Sequence, residues 1–434
     1  MKIHLIGIGG IGVSALAQYY LKKKNSVTGS DLAFSEIISL LEKKGAQISI
    51  GKQQTKNLPD DADLVIYSPA VREDNPELKE AVKRGIKCQS YPQALGDLTK
   101  THFTIAVAGT HGKSTTTSLI AIILIKAGLN PTVIVGTKLK EFKNSNFRMG
   151  GNILVIEACE HEASFLNYYP QIIVLTNIEA DHLDYYKNLD NILKAFKEFV
   201  SHLPDKGILI TNKDDKNSTL LKKGIGYSLR QAEALKLKKI LKVPGEHNIY
   251  NALAALAAAR VLKVKDQDSF AALAKFKGSW RRFEIFSRSL NNKRYTLVND
   301  YAHHPTEIKA TLTAAREKFP QAKISCFFQP HQYQRTFYLF PDFVKTFQEA
   351  LDKDQINKLA IIDIYDVAGR EDKEIKKKVS SQKMVEAIRS KKTVLRLSGI
   401  KEAKEYLEKT LTDKEVVIIM GAGDIYQLAG CLST

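Results

Sequence analysis

The sequence predicts an α/β protein of three domains built on mostly parallel sheets. Three observations carry this expectation. Short β-branched runs alternate with helical periodicity along the whole 434-residue chain, the pattern of strand–helix units. Two glycine-rich turns each fall between such a strand and such a helix. The length, at roughly 100–200 residues per domain, suits three cores. With 44% hydrophobic and 26% charged residues, the composition is that of an ordinary globular protein and excludes global disorder.

Within residues 1–100, strands are expected at 2–6, 26–29, 46–50, 64–67 and 86–88. A helix over about 11–24 follows the first turn and stops at Lys22-Lys23-Lys24. Within 101–279, strands are expected at 103–108, 132–135, 153–157, 172–176 and 207–211, with helices near 114–127, 189–201 and 249–262. The third stretch, 280–434, begins after Phe276-Lys277-Gly278-Ser279-Trp280. Its strands are expected at 295–299, 323–328, 360–365, 394–397 and 415–420, with helical patterns between them. The basic segment 235–243 fits a hairpin or a helix, and its pattern does not choose. There is no short-period repeat and no low-complexity segment.

No run approaches the ~20 apolar residues of a membrane-spanning helix; the run at 119–125 ends at Lys126. The opening Met1-Lys2-Ile3-His4-Leu5-Ile6-Gly7 lacks a long apolar segment with a cleavage site, so no secretion signal is expected. Cys88, Cys159, Cys326 and Cys431 form no C-x-x-C. That argues against structural zinc or a disulfide scaffold and fits a reducing cytoplasm. The 65 Lys+Arg against 47 Asp+Glu give a net charge of +18, which invites a nucleic-acid reading. The lysines are scattered in small clusters, such as Lys376-Lys377-Lys378, with no interleaved aromatics to stack on bases. Solvated faces account for most of them, and neither a nucleic-acid nor a membrane partner is expected.

The first glycine loop, Gly7-Ile8-Gly9-Gly10-Ile11-Gly12, is a G-x-G-x-x-G between strand and helix. Its glycines let the backbone approach a pyrophosphate at the positive end of the helix. Asp31, at the end of the second strand, is placed to bind a ribose or base edge. A tight turn with a helix cap gives the same residues without a ligand, and the loop alone does not name a nucleotide.

The second loop, Ala108-Gly109-Thr110-His111-Gly112-Lys113-Ser114-Thr115-Thr116, says more. The strict G-x-x-x-x-G-K-[ST] pattern fails because position 107 is Val. The remaining G-T-x-G-K-S cradle has the same mechanics. Backbone N–H groups hold α/β-phosphates, Lys113 neutralises the β/γ-phosphates and the Ser114 hydroxyl ligates Mg²⁺. ATP is therefore the expected ligand. Glu157 ends the apolar run 153–156, where a metal-holding acid belongs. Glu179, Asp181 and His182 follow the next apolar strand, at the end of the sheet where ligands bind.

Taken in order, the segments GIGGIGVS, AGTHGKSTTT, IEACEHEASF, TNIEADHLDYY, PGEHNIYNALAALAAA, FKGSWRRFE, NDYAHHPTEI, FQPHQYQRT and MGAGDIY resemble the Mur ligases of peptidoglycan precursor synthesis. The resemblance spans essentially the whole chain. It implies a Rossmann-like N-terminal UDP-sugar domain (1–100), a P-loop-type central ATPase (101–279) and a Rossmann-like C-terminal domain (280–434). It also implies ATP-dependent joining of an amino acid, L-alanine, to UDP-N-acetylmuramate through an acyl phosphate. Mg²⁺ (or Mn²⁺) would be the cofactor and a monomer or homodimer the state.

The residue roles that the resemblance implies are specific. Gly109, Thr110, His111, Gly112, Lys113, Ser114, Thr115, Asn248, Asn251, Arg282 and Asp300 would bind ATP. Arg282 would reach the γ-phosphate, Asp300 the ribose, and Asn248 and Asn251 the adenine. Ser114, Glu157 and His182 would hold the metal. Gly7, Gly9, Gly10, Gly12, Asp31 and Ser68 would bind the UDP-sugar. Tyr301, His303, His331 and Arg335 would recognise the amino acid, and Lys113, Arg282, His303 and Arg335 would act in catalysis.

The chain departs from the family pattern at four places. Gln332 stands where relatives usually carry a second arginine, Lys52 replaces a histidine after Gly51, and the acid-rich E-A-D-E-S-D reads Glu157-Ala158-Cys159-Glu160-His161-Glu162. The segment before Gly245 is also short. A tripeptide-recycling relative shares nearly every motif and remains an alternative. So, more remotely, does an NAD-dependent dehydrogenase built on the first loop, which leaves the second unexplained. A non-enzymatic nucleic-acid-binding P-loop protein also remains.

Overall fold

A computed structural model describes residues 1–221, 224–367 and 372–432. Three sheets form, and their strands are mostly parallel. The first runs Gln47–Ile50, Ser26–Asp31, Lys2–Ile6, Leu64–Tyr67, Lys87–Ser90, all parallel. The second runs Ile225–Tyr227, Ile208–Asn212, Ile172–Leu175, Phe103–Ala108, Ile153–Ala158, Thr132–Leu139, Ser145–Arg148. The third runs Glu284–Leu290, Lys293–Asp300, Val416–Met420, Ile324–Phe328, Lys358–Ile362, Thr393–Leu397.

Every strand and helix expected above forms, with ends shifted by a few residues. Three strands had no sequence expectation: Ser145–Arg148, Ile225–Tyr227 and Glu284–Leu290. All three sit at sheet edges. Ile225–Tyr227 and Glu284–Leu290 are partly exposed, which weakens their apolar signal, and Ser145–Arg148 is buried but carries polar residues, Ser145 and Asn146. Glu284–Leu290 alternates half-buried and exposed positions along its whole length and pairs antiparallel with Lys293–Asp300. The undecided basic segment is a helix, Ala232–Ile240, which buries Ala234 and Leu237.

The chain divides into two compact units. One comprises Met1–Ile178, Ile192–Gln231 and Asn251–Leu273, and holds the first two sheets. The other comprises Glu179–Asn191, Ala232–Tyr250 and Ala274–Thr434, and holds the third.

In the first unit, helix Ile11–Lys22 packs against the hairpin Thr132–Leu139/Ser145–Arg148 through a buried polar network. The Gln18 amide donates to Asn146 Oδ1 (2.8 Å), Asn146 Nδ2 donates to Ser14 Oγ (3.0 Å), and Ser145 Oγ donates to Gln18 Oε1 (2.9 Å). Such a network fixes register, because any slip strands a buried polar group. In the second unit the central strands bury apolar residues on both faces, with Phe328, Phe343 and Phe347 on one side and Phe327, Leu407 and Leu428 on the other. That two-sided burial is why these strands read as continuous apolar runs.

Candidate active site

The first glycine loop turns out of strand Lys2–Ile6 at Gly7, whose φ of +75° favours glycine. The Gly7 N–H donates to Ser30 O (2.8 Å), and a Cβ on Gly7 would stand 3.0 Å from Ser68 Cβ. The Gly9 N–H donates to Asp31 Oδ2 (2.8 Å). Gly10 caps helix Ile11–Lys22, which has no acidic residue in its first turn. Gly7, Gly9, Gly10, Gly12, Asp31 and Ser68 therefore meet at the carboxyl edge of one sheet, around a helix N-terminus with no acidic residue of its own, a position that suits an anion.

The second loop lies in the same unit, between strand Phe103–Ala108 and helix Lys113–Lys126. Gly109 (φ +131°) and Gly112 (φ +82°) both need glycine. A Cβ at Gly112 would come within 2.3 Å of Asn251 Oδ1, and that oxygen also accepts from Thr116 Oγ1 (3.2 Å). The His111 N–H donates to Asn177 Oδ1 (2.9 Å). Thr110 and Thr115 are buried at the rim of the turn. The Lys113 ammonium donates to Gly109 O (2.6 Å) and Thr110 O (3.0 Å), and pairs with Glu160 at 2.9 Å. Burial works against that charge, but Glu160, Cys159 and Glu157 outweigh it and hold Lys113 above the ordinary lysine value. Ser114 Oγ donates to Glu157 Oε2 (3.0 Å). A hydroxyl and a carboxylate so placed form the hard-oxygen set that suits Mg²⁺.

The remaining expected residues, apart from Asn251, lie in the second unit. Asn248 occupies the first turn of helix Glu246–Val261 and donates to Pro244 O (2.6 Å). Asp300, at the end of its strand, accepts from Phe283 N and Ala302 N (both 2.7 Å). Burial lifts its carboxyl to about 6, against the pull of Arg282 and those two N–H groups. The Arg282 guanidinium lies 4.9 Å from the Tyr301 ring centroid, a cation–π distance.

His303 Nδ1 is 3.1 Å from Tyr301 O and 3.2 Å from Glu307 Oε2. His331 stacks on Tyr365 at 5.5 Å between centroids and meets Arg335 Nη1 at 3.3 Å. Arg335 Nε donates to Asp181 Oδ1 (3.2 Å), and both side chains are buried. Burial alone would raise the Asp181 carboxyl; Arg335, His182, His304 and His303 instead hold it well below the usual range. His182 follows directly, with its backbone N–H on Asp181 Oδ1 (2.7 Å). Gln332 holds φ +73°, ψ 132°, a strained backbone of the kind that collects at functional sites.

These histidines set an acid sensitivity. Burial pushes His303 and His247 down to about 4, with Glu307 opposing both shifts. Burial, reinforced by His303 and Arg335, pushes His331 to about 2. A depressed histidine contributes stability that is present above pH 6.5 and lost as pH falls toward its folded value. The raised Asp300 contributes the other way, favouring the fold below its unfolded value and losing that as pH rises through about 6. Between pH 4 and 6 three histidines oppose one aspartate. Stability of this unit should therefore fall by roughly 2.7 kcal/mol per pH unit of acidification, measured by urea unfolding at pH 6, 5 and 4.5.

Two side chains that the sequence reading passed over stand out. Arg281, with φ +56°, is buried and lies 4.7 Å from the ring centroids of both Tyr301 and Tyr426. Its Nη2 donates to Gly421 O and to Gly423 O (3.3 Å). It ties the Gly421-Ala422-Gly423 turn to the segment carrying Arg282. Only burial separates the two members of that arginine pair, and spacing carries no such signal. Glu160, the partner of Lys113, was legible only as one acid in an acid-rich run.

Comparison with known proteins matches residues 2–103 to the Mur ligase family catalytic domain, 107–234 to the Mur ligase middle domain and 281–423 to the Mur ligase glutamate ligase domain. The UDP-N-acetylmuramate–L-alanine ligase of Clostridium acetobutylicum is 40% identical, over 98% of this chain and 96% of that one. Its counterpart from Caldanaerobacter subterraneus is 39% identical over the same shares. Among solved structures, the UDP-N-acetylmuramate–alanine ligase of Thermotoga maritima superposes with a TM-score of 0.82 at 27% identity, covering 100% of this chain and 98% of that one. A murein peptide ligase of Psychrobacter arcticus shares the fold at a TM-score of 0.74 and 24% identity, with the same coverage. Matched along nearly its whole length, the chain belongs to the Mur ligase family.

Proposed function

We propose that this chain is an ATP-dependent ligase that joins L-alanine to UDP-N-acetylmuramate, a step of peptidoglycan precursor synthesis. One observation carries the reading: 40% identity over 98% of the chain to a protein with that activity in its name. The local chemistry agrees. Lys113 offers a fixed cation in a glycine-rich turn, as transfer of a γ-phosphoryl group requires.

In the reaction, a muramate carboxylate oxygen takes the γ-phosphoryl group of ATP, giving an acyl phosphate and ADP. The alanine amine then attacks the acyl carbon, phosphate leaves, and the amine loses a proton to solvent or a nearby base. Positioning and charge neutralisation supply most of such catalysis. Lys113 and the loop N–H groups orient the triphosphate. Ser114 and Glu157 would hold Mg²⁺ (or Mn²⁺), which supplies charge neutralisation. His182, Asn248, Asn251, Arg282 and Asp300 keep the metal, adenine, γ-phosphate and ribose roles of the family resemblance. Arg335, with His331, His303 and Tyr301 around it, would recognise the alanine carboxylate, because a planar guanidinium matches two carboxylate oxygens. The corresponding domains are 1–100 for the UDP-sugar, 101–279 for ATP and 280–434 for the amino acid.

The test is phosphate release with ATP, Mg²⁺ and UDP-N-acetylmuramate across a panel of amino acids and the murein tripeptide. L-Alanine should give the highest kcat/KM. Turnover with the tripeptide and not with alanine would overturn the reading.

A further inference from the structure

Helix Tyr91–Thr101 opens with a rigid first turn. The Gln93 N–H donates to Ser90 Oγ (3.4 Å) and the Ser90 N–H donates to Gln93 Oε1 (2.8 Å), a capping box completed by Pro92. Tyr91 rides on this turn and aims its ring at the first glycine loop. A Cβ built on Gly12 would stand 2.7 Å from Tyr91 Cζ, the carbon that bears the hydroxyl. The loop's last glycine thus makes room for the polar end of a tyrosine.

Three further facts concern that hydroxyl. It has no hydrogen-bond partner among the described residues. The carbon that bears it lies against the first turn of helix Ile11–Lys22, which has no acidic residue of its own, so that turn attracts negative charge beyond the Asp31 carboxylate already accepting from the Gly9 N–H. The groups that act electrostatically on its phenol are Glu157 and Cys159, at the end of strand Ile153–Ala158. Tyr91 therefore packs beside the glycine loop, in the compact unit that also holds the Ser114–Glu157 pair. Burial, with those two groups, holds the phenol above its ordinary value, so it stays a neutral donor at pH 7.

We propose that the Tyr91 hydroxyl donates a hydrogen bond to an anionic oxygen of the sugar nucleotide bound at the glycine loop, making Tyr91 a substrate-binding residue. The proposal rests on the reading of that loop as the UDP-sugar site. A phenol donating to an anion makes a short, charge-assisted bond, and the ring's contact with Gly12 leaves the donor little freedom to lose on binding.

Tyr91→Phe isolates the hydroxyl, because the ring and its contact with Gly12 remain. In the full-length protein, calorimetry with UDP-N-acetylmuramate should show affinity weakened about tenfold. Its KM should rise in step, while the KM for ATP and the melting temperature stay within error of wild type. UDP alone forms a second arm: weakened binding of both ligands assigns the bond to the diphosphate, and weakening confined to the muramate sugar assigns it to the lactyl carboxylate. Unchanged affinity for both would overturn the proposal, as would a loss accompanied by a lowered melting temperature or an equal loss for ATP. If wild type itself binds neither ligand, the reading of the loop falls as well.

Discussion

Lys113→Ala should lower ATP turnover by at least ~10³, the scale expected when a positioned charge is taken from a phosphoryl-transfer site. UDP-N-acetylmuramate affinity should stay within about twofold, since the two loops lie on different sheets. Phosphate release and calorimetry check the two halves. Unchanged turnover would undo the phosphate-site assignment. The single variant also leaves Glu160 buried without the ammonium 2.9 Å away, a loss that costs about 3–5 kcal/mol when a buried pair is broken from one side. The double variant Lys113→Ala/Glu160→Gln removes both charges. It should recover most of the melting temperature and none of the turnover, which separates folding from chemistry.

Arg335→Ala should strongly destabilise the second unit. Its Nε meets Asp181 Oδ1 at 3.2 Å and both side chains are buried. Removing the guanidinium strands a carboxylate that Arg335 helps to keep ionised, again at a cost of about 3–5 kcal/mol. Urea unfolding measures it. Arg335→Lys keeps the charge and should recover part of the stability. It loses the planar fork, so the KM for alanine should rise by roughly tenfold or more. A lysine variant with unaltered alanine KM would place carboxylate recognition elsewhere.

Much of this protein was legible in the sequence because its ligand loops are local. Gly7 to Gly12 and Gly109 to Ser114 are contiguous runs, and each follows a short, largely apolar strand. The central strands of all three sheets were legible for the same reason: buried on both faces, they read as uninterrupted apolar runs. The edge strands were not. Glu284–Leu290 takes its conformation from its partner Lys293–Asp300, and its half-exposed residues carry little pattern of their own. The segment Ala232–Ile240 is a helix that buries Ala234 and Leu237, a burial that a local pattern cannot foresee.

The side chains around the loops divide in the same way. Lys113 and Ser114 were nameable from spacing, since both hang from one helical turn. That Lys113 rests on Glu160, that Arg335 holds Asp181, and that Arg281 rather than Arg282 is the buried member of its pair are facts of packing between distant segments. The sequence by itself determined the α/β class, the two glycine loops and the chemistry they imply, because these follow from residue type and short spacing. Only the tertiary structure decided which charges are paired, which histidines are kept neutral and that the Tyr91 ring packs on Gly12. Burial and the approach of remote strands set those outcomes, and neither is written in any local run of residues.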